Sequence, residues 1–319
     1  MRHIDTLLLL ALPASGKSEL RRYLGSVESE VAERDFGIGP TVQLDDYPYV
    51  HLMRRINEEI IQLGEAPVFY KSSSGRFLDG GDWATLIELV NEDYSGLGTE
   101  IPSSSQPTAW LSDRFERARS NVGLSRPFER LSEKQFGSLA RALDDEVAEF
   151  ARDLSATLSS YVPGDSTVVI EFARGGPEGA EPPLPDPHGY AFSLRHLSED
   201  ILGKACALYV WVTPKESRAR NQARAKPGIE GDASILHHGV PEVVMRGDYG
   251  VDDFRWLLER GGGQAVEIGA SGVTYTIPAT VFDNRVDHTS FLRADRSAWN
   301  HDMVSELHAA LKESFSRLQ

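Results

Sequence analysis

Residues 11–18 constrain the fold of this 319-residue chain more than any other segment. They have the sequence Ala-Leu-Pro-Ala-Ser-Gly-Lys-Ser, follow an apolar run at residues 6–10 and precede a helix-favouring stretch at residues 19–24. A strand, a glycine-containing turn and a helix in this order predict a phosphate-binding loop, or P-loop. Ala11 replaces the first glycine of the usual pattern G-x-x-x-x-G-K-[ST], which the turn tolerates if the backbone avoids positive φ at that position.

The residues of this loop have predicted roles in holding a nucleotide. A turn that wraps back on itself points successive backbone amides inward at phosphate oxygens, and the following helix adds its positive dipole end. Gly16 lets the backbone approach a phosphate, Lys17 reaches the β- and γ-phosphates, and Ser18 offers a hydroxyl to Mg²⁺. The predicted nucleotide contacts of this segment are Pro13, Ala14, Ser15, Gly16, Lys17, Ser18 and Glu19.

The composition is that of an ordinary globular protein, with 40% hydrophobic and 25% charged residues. The length leaves room for one large α/β domain and an insertion. A net charge of −15 argues against broad binding of nucleic acid, which requires a basic surface, although a local basic cleft inside an acidic shell stays open. We therefore expect small-molecule partners rather than nucleic acid.

The first residues resemble a targeting signal superficially, because Arg2 and His3 precede a short apolar stretch. Asp5 and Lys17 flank that stretch, and no segment approaches the length of a membrane span, so a buried first strand is the better interpretation. The single cysteine, Cys206, cannot form an internal disulfide and is expected to be a core residue. These features predict a cytoplasmic protein without a membrane partner.

Predicted strands and helices alternate along the chain, which predicts an α/β protein. We expect a three-layer sandwich of the P-loop NTPase type, with a doubly wound parallel sheet of about five strands and the ligand at the carboxyl ends of the strands. Residues 1–63 are predicted to form the first part of this core and residues 132–319 the remainder, with an arginine-bearing lid near residues 214–250. Residues 64–131 have a looser pattern with scattered aromatic residues, which predicts an inserted helical or irregular subdomain that binds substrate or forms a lid.

Acidic residues follow two of the predicted strands and are candidates for catalysis. Asp45 and Asp46 come directly after the second strand, where a carboxylate can accept a proton from an attacking hydroxyl or hold a water on Mg²⁺. Asp45 comes first after the strand and is the preferred base and metal partner, although the roles of Asp45 and Asp46 are hard to separate. A solvated turn is the alternative for this pair. Glu171 ends the most apolar strand, where it can support Mg²⁺, and Arg174 can bind an anionic or polyhydroxyl substrate. A structural ion pair of Glu171 with Lys17 or Arg174 is the alternative.

Three arginines lie on the helix predicted after residue 214: Arg218, Arg220 and Arg224. Arg220 and Arg224 share a helical face and are predicted to stabilise the transferring phosphoryl group, whereas Arg218 points elsewhere and is predicted to contact the nucleotide. A solvated basic face is the alternative for each of them. Arg246 is a further candidate of the same kind.

Two pairs of polar residues carry weaker predictions. His237 and His238 are adjacent, so their side chains point apart, and the pair is not expected to hold zinc. Asp283 and Asn284 follow the last predicted strand, where Asn284 is predicted to contact the nucleotide base. A simple turn of the chain is the alternative.

Together these residues resemble the P-loop small-molecule and nucleoside kinases, the broad group that holds uridine kinase, phosphoribulokinase and the zeta-toxin kinases. The resemblance covers about half of the chain by motif order, and its motifs are residues 11–18, Asp45-Asp46-Tyr47, Glu171 with Arg174, the arginines at 218–224 and Asp283-Asn284. It implies that the acid after strand two is the base or metal partner, that the arginine-bearing helix belongs to a lid, and that the loop after the last strand lies near adenine. The loop sequence is also similar to that of kinases acting on aminoacylated tRNA. Residues 64–131 match no motif.

The resulting hypothesis is an ATP- and Mg²⁺-dependent phosphotransferase that moves the γ-phosphoryl group to a hydroxyl of a small polar metabolite. Lys17 and the loop amides hold the phosphates, Ser18, Asp45 and Glu171 serve the metal, and Arg174, Arg220 and Arg224 assist transfer. The partners are a nucleoside triphosphate and a hydroxyl-bearing small molecule. Two alternatives stay open: a kinase acting on RNA or aminoacyl-tRNA, and a non-enzymatic nucleotide-dependent switch in which residues 64–131 recruit a protein.

Overall fold

The computed structural model describes residues 2–224 and 239–318. The strands are β1 Thr6–Leu10, β2 Thr41–Asp45, β3 Thr167–Phe172, β4 Ala205–Trp211, β5 Ala265–Ala270 and β6 Val273–Asp283. The helices are α1 Lys17–Leu24, α2 Ser29–Phe36, α3 Tyr47–Gln62, α4 Asp82–Ser95, α5 Pro107–Asn121, α6 Glu133–Ser159, α7 Gly189–Arg195, α8 Glu199–Leu202, α9 Pro214–Arg224, α10 Glu242–Asp248, α11 Phe254–Arg260 and α12 His301–Ser316. Within these described ranges, no helix is both long enough and apolar enough to cross a bilayer.

The strands form one six-stranded sheet in the order β2-β3-β1-β4-β6-β5. β1 pairs in parallel with β3 on one side and β4 on the other, and β4 pairs in parallel with β6. β5 pairs antiparallel with β6 at the edge of the sheet. The predicted α/β class is therefore confirmed. The sheet has six strands instead of the predicted five or so, and it is mostly rather than entirely parallel because β5 runs antiparallel to β6.

The residue pattern explains why the central strands differ from the edge hairpin. β1, β3 and the first six residues of β4 are buried throughout, as expected of strands covered on both faces. β5 alternates instead, with Val266, Ile268 and Ala270 buried and the residues between them more exposed. Ser271 and Gly272 join it to β6 with φ of 50° and 78°, the positive values that a tight hairpin turn requires. The period-two pattern of β5 was readable from sequence, but the predicted strands did not include it.

Helices cover both faces of the sheet. The face that carries Leu7 and Leu9 packs against α1, α2 and α12 in one apolar cluster. On the other face, the ring of Tyr190 from α7 lies against Tyr209 of β4 and Phe254 of α11, with ring centroids 6.2 and 5.5 Å away. This gives the helix–sheet–helix layering that the sequence pattern predicts.

The described chain divides into two compact units. The first comprises Met1–Gln43, Gly164–Arg195 and Glu199–Gln319, and the second comprises Leu44–Pro163 and His196–Ser198. The second unit is wider than the insertion predicted at residues 64–131, because α3 and α6 pack on each other and α5 packs on α4 and α6. Within residues 64–131, which were predicted to form an inserted helical or irregular subdomain, the structure has two regular helices, α4 and α5.

The strand order creates a topological switch at β1. From β1 the chain passes to β2 on one side, whereas from β3 it crosses to β4 on the other side. In open α/β sheets, ligands bind at the carboxyl ends of the strands where the connections diverge in this way. Residues 11–18 leave the sheet at that point.

Candidate phosphate-binding site

The backbone of residues 11–18 forms the turn that the sequence predicts. Gly16 has φ of 102° and directly precedes α1, where its carbonyl oxygen accepts the amide of Leu20 at 2.9 Å. Ala14 also has positive φ, 56°, which costs an alanine conformational energy and is typical of tight functional turns. Ala11 is not among the described residues with positive φ, so its replacement of glycine is compatible with this turn.

Side chains from other elements hold the carbonyl groups of the loop. Four loop carbonyl oxygens accept side-chain hydrogen bonds: Ala11 from Tyr190 Oη at 2.9 Å, Leu12 from Ser15 Oγ at 2.6 Å, Pro13 from Ser217 Oγ at 2.7 Å and Ser15 from Asn284 Nδ2 at 2.8 Å. Among the residues that the structure describes, the backbone amides of Ala14 and Gly16 donate to no protein group. A loop with its carbonyls engaged by the protein keeps amides available for an anion.

Lys17 and Ser18 occupy the first turn of α1, beside the carboxyl end of β3. Lys17 is buried and its Nζ donates to the carbonyl oxygen of Ala11 at 3.3 Å. Ser18 Oγ donates to Glu171 Oε1 at 3.3 Å, and Arg21 lies 3.2 Å from the other carboxylate oxygen. The structure thus brings together Ser18 and Glu171, two of the three predicted metal partners.

The oxygen donors of Ser18 and Glu171 fit a hard cation such as Mg²⁺, which uses one or two protein ligands together with substrate phosphates. Within residues 2–224 and 239–318, no three histidine, cysteine, aspartate or glutamate side chains converge on a point suitable for a metal ion.

Glu19 follows Ser18 on α1 but turns into the protein. Its side chain is 1% exposed, and Oε1 lies 2.7 Å from both Arg224 of α9 and Arg293 of the 3-10 helix after β6. Burial favours the neutral carboxyl, but the two guanidinium groups outweigh burial and lower the pKa of Glu19 below its ordinary value. Arg293 was not among the predicted site residues, and no local sequence pattern marks it.

One face of α9 lies along the loop. Ser217, Arg220 and Arg224 are spaced as i, i+3 and i+7 and therefore share that face. Ser217 contacts the loop at Pro13, Arg220 donates to the carbonyl oxygens of Asn284 and Arg285 at 2.7 and 3.3 Å, and Arg224 reaches Glu19. Arg218 points to the other side and pairs with Glu178 at 3.0 Å.

Asn284 supports the loop from inside the protein. Its side chain is fully buried, and besides Ser15 its Nδ2 contacts Thr289 Oγ1 at 3.0 Å while its Oδ1 accepts the amide of His288 at 2.8 Å. The predicted contact of Asn284 with a nucleotide base stays a prediction, because the structure shows this amide bonded to protein groups. Tyr190 and Ser217 were missed as supporting residues because their partners in the loop are 179 and 204 residues away in sequence.

Arg174 also lies inside the protein. It is 2% exposed, and it donates to Ser193 Oγ at 2.8 Å and to the carbonyl oxygen of Ala173 at 2.7 Å. Its guanidinium stands over the ring of Phe172, 5.0 Å from the centroid. The side chain thus links the end of β3 to α7, and its predicted contact with substrate stays a prediction.

The two candidate aspartates, Asp45 and Asp46, belong to the second unit, which begins at Leu44. Asp45 is the last residue of β2, and its carboxylate accepts the amide of Tyr47 at 2.8 Å, which turns the chain into α3. Asp46 is buried just before that helix. The roles of Asp45 as base and metal partner stay predictions.

The remaining candidates lie in ordinary structural settings. Arg246 pairs with Glu178 at 2.6 Å. Asp283 pairs with Arg285 at 2.7 Å. Burial raises the pKa of Cys206 to about 12, as expected of an inert core thiol. His237 and His238, with the central part of the predicted lid, lie outside the described residues.

No family model, curated protein or solved structure matches this chain.

Proposed function

We propose that this protein is an ATP- and Mg²⁺-dependent phosphotransferase that moves the γ-phosphoryl group to a hydroxyl of a small polar metabolite. The observation that carries the proposal is the loop after β1, whose carbonyls are bonded to side chains while the amides of Ala14 and Gly16 donate to no described protein group. Backbone amides beside a helix N-terminus bind phosphate oxygens well. Lys17 adds an ammonium group for the phosphates of a nucleoside triphosphate, and Ser18 adds a hydroxyl group for its Mg²⁺.

Each residue near the loop has a role in this proposal. Lys17 neutralises the β- and γ-phosphates in this proposal, and its Nζ lies beside the loop, 3.3 Å from the carbonyl oxygen of Ala11. Ser18 and Glu171 would hold Mg²⁺, which supplies positive charge to the phosphates when bound. Arg220 and Arg224, on the face of α9 beside the loop, stabilise the charge on the transferring group.

The transfer itself conserves atoms and charge. The acceptor hydroxyl oxygen forms a bond to the γ-phosphorus, the bond from that phosphorus to the β–γ bridging oxygen breaks, and ADP leaves. The hydroxyl proton passes to the carboxylate of Asp45 in this proposal. Orientation of these groups and stabilisation of phosphate charge account for most of the rate enhancement in reactions of this kind.

The primary test is calorimetric titration with a non-hydrolysable ATP analogue and Mg²⁺, on the wild type and on Lys17→Met. We expect micromolar binding by the wild type and its loss in Lys17→Met, because the ammonium is removed from the phosphate site. Lys204→Met, at an exposed position before β4, is the matched control and should bind as the wild type does. Binding that survives Lys17→Met would contradict the proposal.

The second step separates a kinase from a nucleotide switch. Hydroxyl-bearing metabolites are screened for ADP release, and a switch would bind the nucleotide without responding to any of them. In the kinase, Asp45→Asn should lower turnover far more than nucleotide affinity. Equal losses in both quantities would make Asp45 a metal or structural residue instead.

A further inference from the structure

We propose that Arg220, Arg224 and Arg293, together called the basic cluster, form a subsite for a phosphate group, and that Glu19 is the positioning residue that assembles it. This inference rests on the proposed function. It adds Arg293 to the site and gives the side chain of Glu19 a role distinct from that of its backbone.

The first support is the convergence of two arginines on one buried carboxylate. Arg224 Nη2 and Arg293 Nε each lie 2.7 Å from Glu19 Oε1. The two arginines come from separate connections, one after β4 and the other after β6, and Glu19 holds both against the first turn of α1. Charge-assisted bonds of this length fix the orientation of a guanidinium group.

The second support is an excess of positive charge. Arg224 and Arg293 pair with the carboxylate of Glu19, and the charge of Arg220 acts on the neighbouring Arg224. Arg220 also acts electrostatically on Asp287, which already accepts the amides of Thr289 and Ser290. The cations still outnumber the carboxylates when both acids are counted. Burial lowers the pKa of Arg224, and the neighbouring cations Arg293 and Arg220 lower it further. Such a group of like charges is stabilised when an anion enters it.

The third support is an unused donor. Arg224 Nε is buried and has no hydrogen-bond partner among the described residues, and only 14% of the Arg224 side chain is exposed. A buried N–H without an acceptor is costly, and native structures supply one from the protein, from water or from a ligand. Arg293 is one-third exposed, so its guanidinium also reaches solvent.

The location identifies the anion as a phosphate group. Glu19 lies two residues after Lys17, and Arg220 donates to Asn284, which in turn holds Ser15 of the loop. The basic cluster therefore adjoins the P-loop on the side of α9. Arginine forks match the geometry of phosphate oxygens and bind them in pairs.

Two sources of that phosphate group have the same chemistry. It is either the terminal phosphate of the nucleotide or a phosphate carried by the acceptor. In the experiment, a non-hydrolysable ATP analogue and ADP are each titrated into the free protein. Inorganic phosphate is titrated into protein that is already saturated with the analogue. The proteins are the wild type, Arg293→Gln, Glu19→Gln and the control Arg317→Gln, which removes an exposed arginine of the same charge near the end of the chain.

If the basic cluster binds the terminal phosphate of the nucleotide, Arg293→Gln should lower the affinity for the ATP analogue about tenfold or more. The affinity for ADP should then change by less than about threefold. For an acceptor phosphate, both nucleotides bind normally and inorganic phosphate binding is lost. Glu19→Gln should weaken binding of the same probe that Arg293→Gln weakens. The double variant with both changes should lose no more affinity than the single variant with the larger loss, because both residues act through one arrangement. A merely structural Glu19 would lower thermal stability and leave unchanged both the ratio of ATP to ADP affinity and the binding of inorganic phosphate.

The inference is overturned if Arg293→Gln binds all three probes as the wild type does. That result differs from failure of the proposed function, in which the wild type does not bind the analogue or Lys17→Met still binds it. Because Arg293 is partly exposed, its variant tests the subsite even if Glu19→Gln does not fold.

Discussion

Ser217 donates its hydroxyl hydrogen to the carbonyl oxygen of Pro13 at 2.7 Å, across 204 residues of sequence. This bond joins the first turn of α9 to the middle of the loop at residues 11–18. α9 is the first part of the predicted arginine-bearing lid, and the mobility of that lid stays a prediction. Arg220 and Arg224 share the face of α9 that carries Ser217 and therefore lie along the loop.

Removing the Ser217 hydroxyl should weaken nucleotide binding. Ser217→Ala leaves the carbonyl of Pro13 without its side-chain donor, so the loop loses part of its fixed shape at a cost of about 1–3 kcal/mol. We expect affinity for the ATP analogue to fall by about fivefold to about 150-fold, measured by calorimetry. Ser305→Ala removes a comparable bond from an exposed position on α12 and should change nothing. Unchanged affinity in Ser217→Ala would show that the loop needs no such support.

Gly16 should not tolerate alanine. A Cβ there would lie 2.4 Å from Thr289 Oγ1 and 2.7 Å from Asn284 Nδ2, in addition to the strain of φ at 102°. Gly164 has φ of 82°, but a Cβ on it would meet nothing within 4 Å, so Gly164→Ala isolates the cost of φ alone. We expect Gly16→Ala to lower the melting temperature more than Gly164→Ala and to abolish nucleotide binding. Equal decreases in melting temperature in the two variants would show that contacts of the added Cβ with Thr289 and Asn284 do not contribute to the cost of Gly16→Ala.

Glu171 should matter only when Mg²⁺ is present. Glu171→Gln removes the negative charge beside Ser18, so the gain in nucleotide affinity that Mg²⁺ provides should shrink about tenfold, while affinity measured in a chelator stays constant. Glu267→Gln, an exposed change on β5, is the control. A loss of the same size with and without Mg²⁺ would assign Glu171 to structure through its contact with Arg21.

The second unit should depend on a buried ion pair. Arg114 is 5% exposed and lies 2.7 Å from Asp93, which also accepts the hydroxyl of Tyr49 at 2.6 Å. Arg114→Met leaves that carboxylate buried and uncompensated, at a cost of about 3–5 kcal/mol in the free energy of unfolding measured with urea. Arg117→Met is the matched control, because Arg117 pairs with Glu92 but is 57% exposed, so its loss should cost about 1 kcal/mol or less.

Asp252 should make stability depend on pH. Burial raises the pKa of Asp252 to about 6, although it accepts a hydrogen bond from Tyr209 Oη at 2.7 Å. The folded protein therefore keeps this proton where the unfolded chain, with an ordinary pKa near 4, releases it. That stabilising contribution is complete below pH of about 4 and is lost as the pH rises to about 6.

Asp252→Asn removes this titration. The melting temperature of the variant should rise relative to that of the wild type as the pH increases from about 4 to about 7, because asparagine stays neutral. The comparison is made at each pH between the two proteins, so that other carboxyl groups cancel. A constant difference across this range would show that Asp252 has an ordinary pKa in the folded protein.

Local patterns were sufficient to predict the central part of the molecule. The apolar run before residue 11, the glycine and lysine at 16 and 17, and the buried strand that ends in Glu171 are each short-range signals. Parallel pairing of β1 with β3 places Leu9 opposite Glu171, so two correctly predicted elements bring Ser18 and this acid together. Helical spacing was also enough to place Arg220 and Arg224 on one face of α9, because that spacing is a property of the helix itself.

The sequence by itself determined the loop and the residue types that can hold a phosphate, since these depend on neighbours within a few positions. Only the tertiary structure decided what supports the loop. Tyr190 reaches Ala11 across 179 residues, Asn284 reaches Ser15 across 269, and Arg293 reaches Glu19 across 274. A polar side chain on a helix or loop has the same local pattern whether it faces water or a distant carbonyl. The order of the strands in the sheet determines which of these distant residues become neighbours, so the support of the loop was decided only by the tertiary structure.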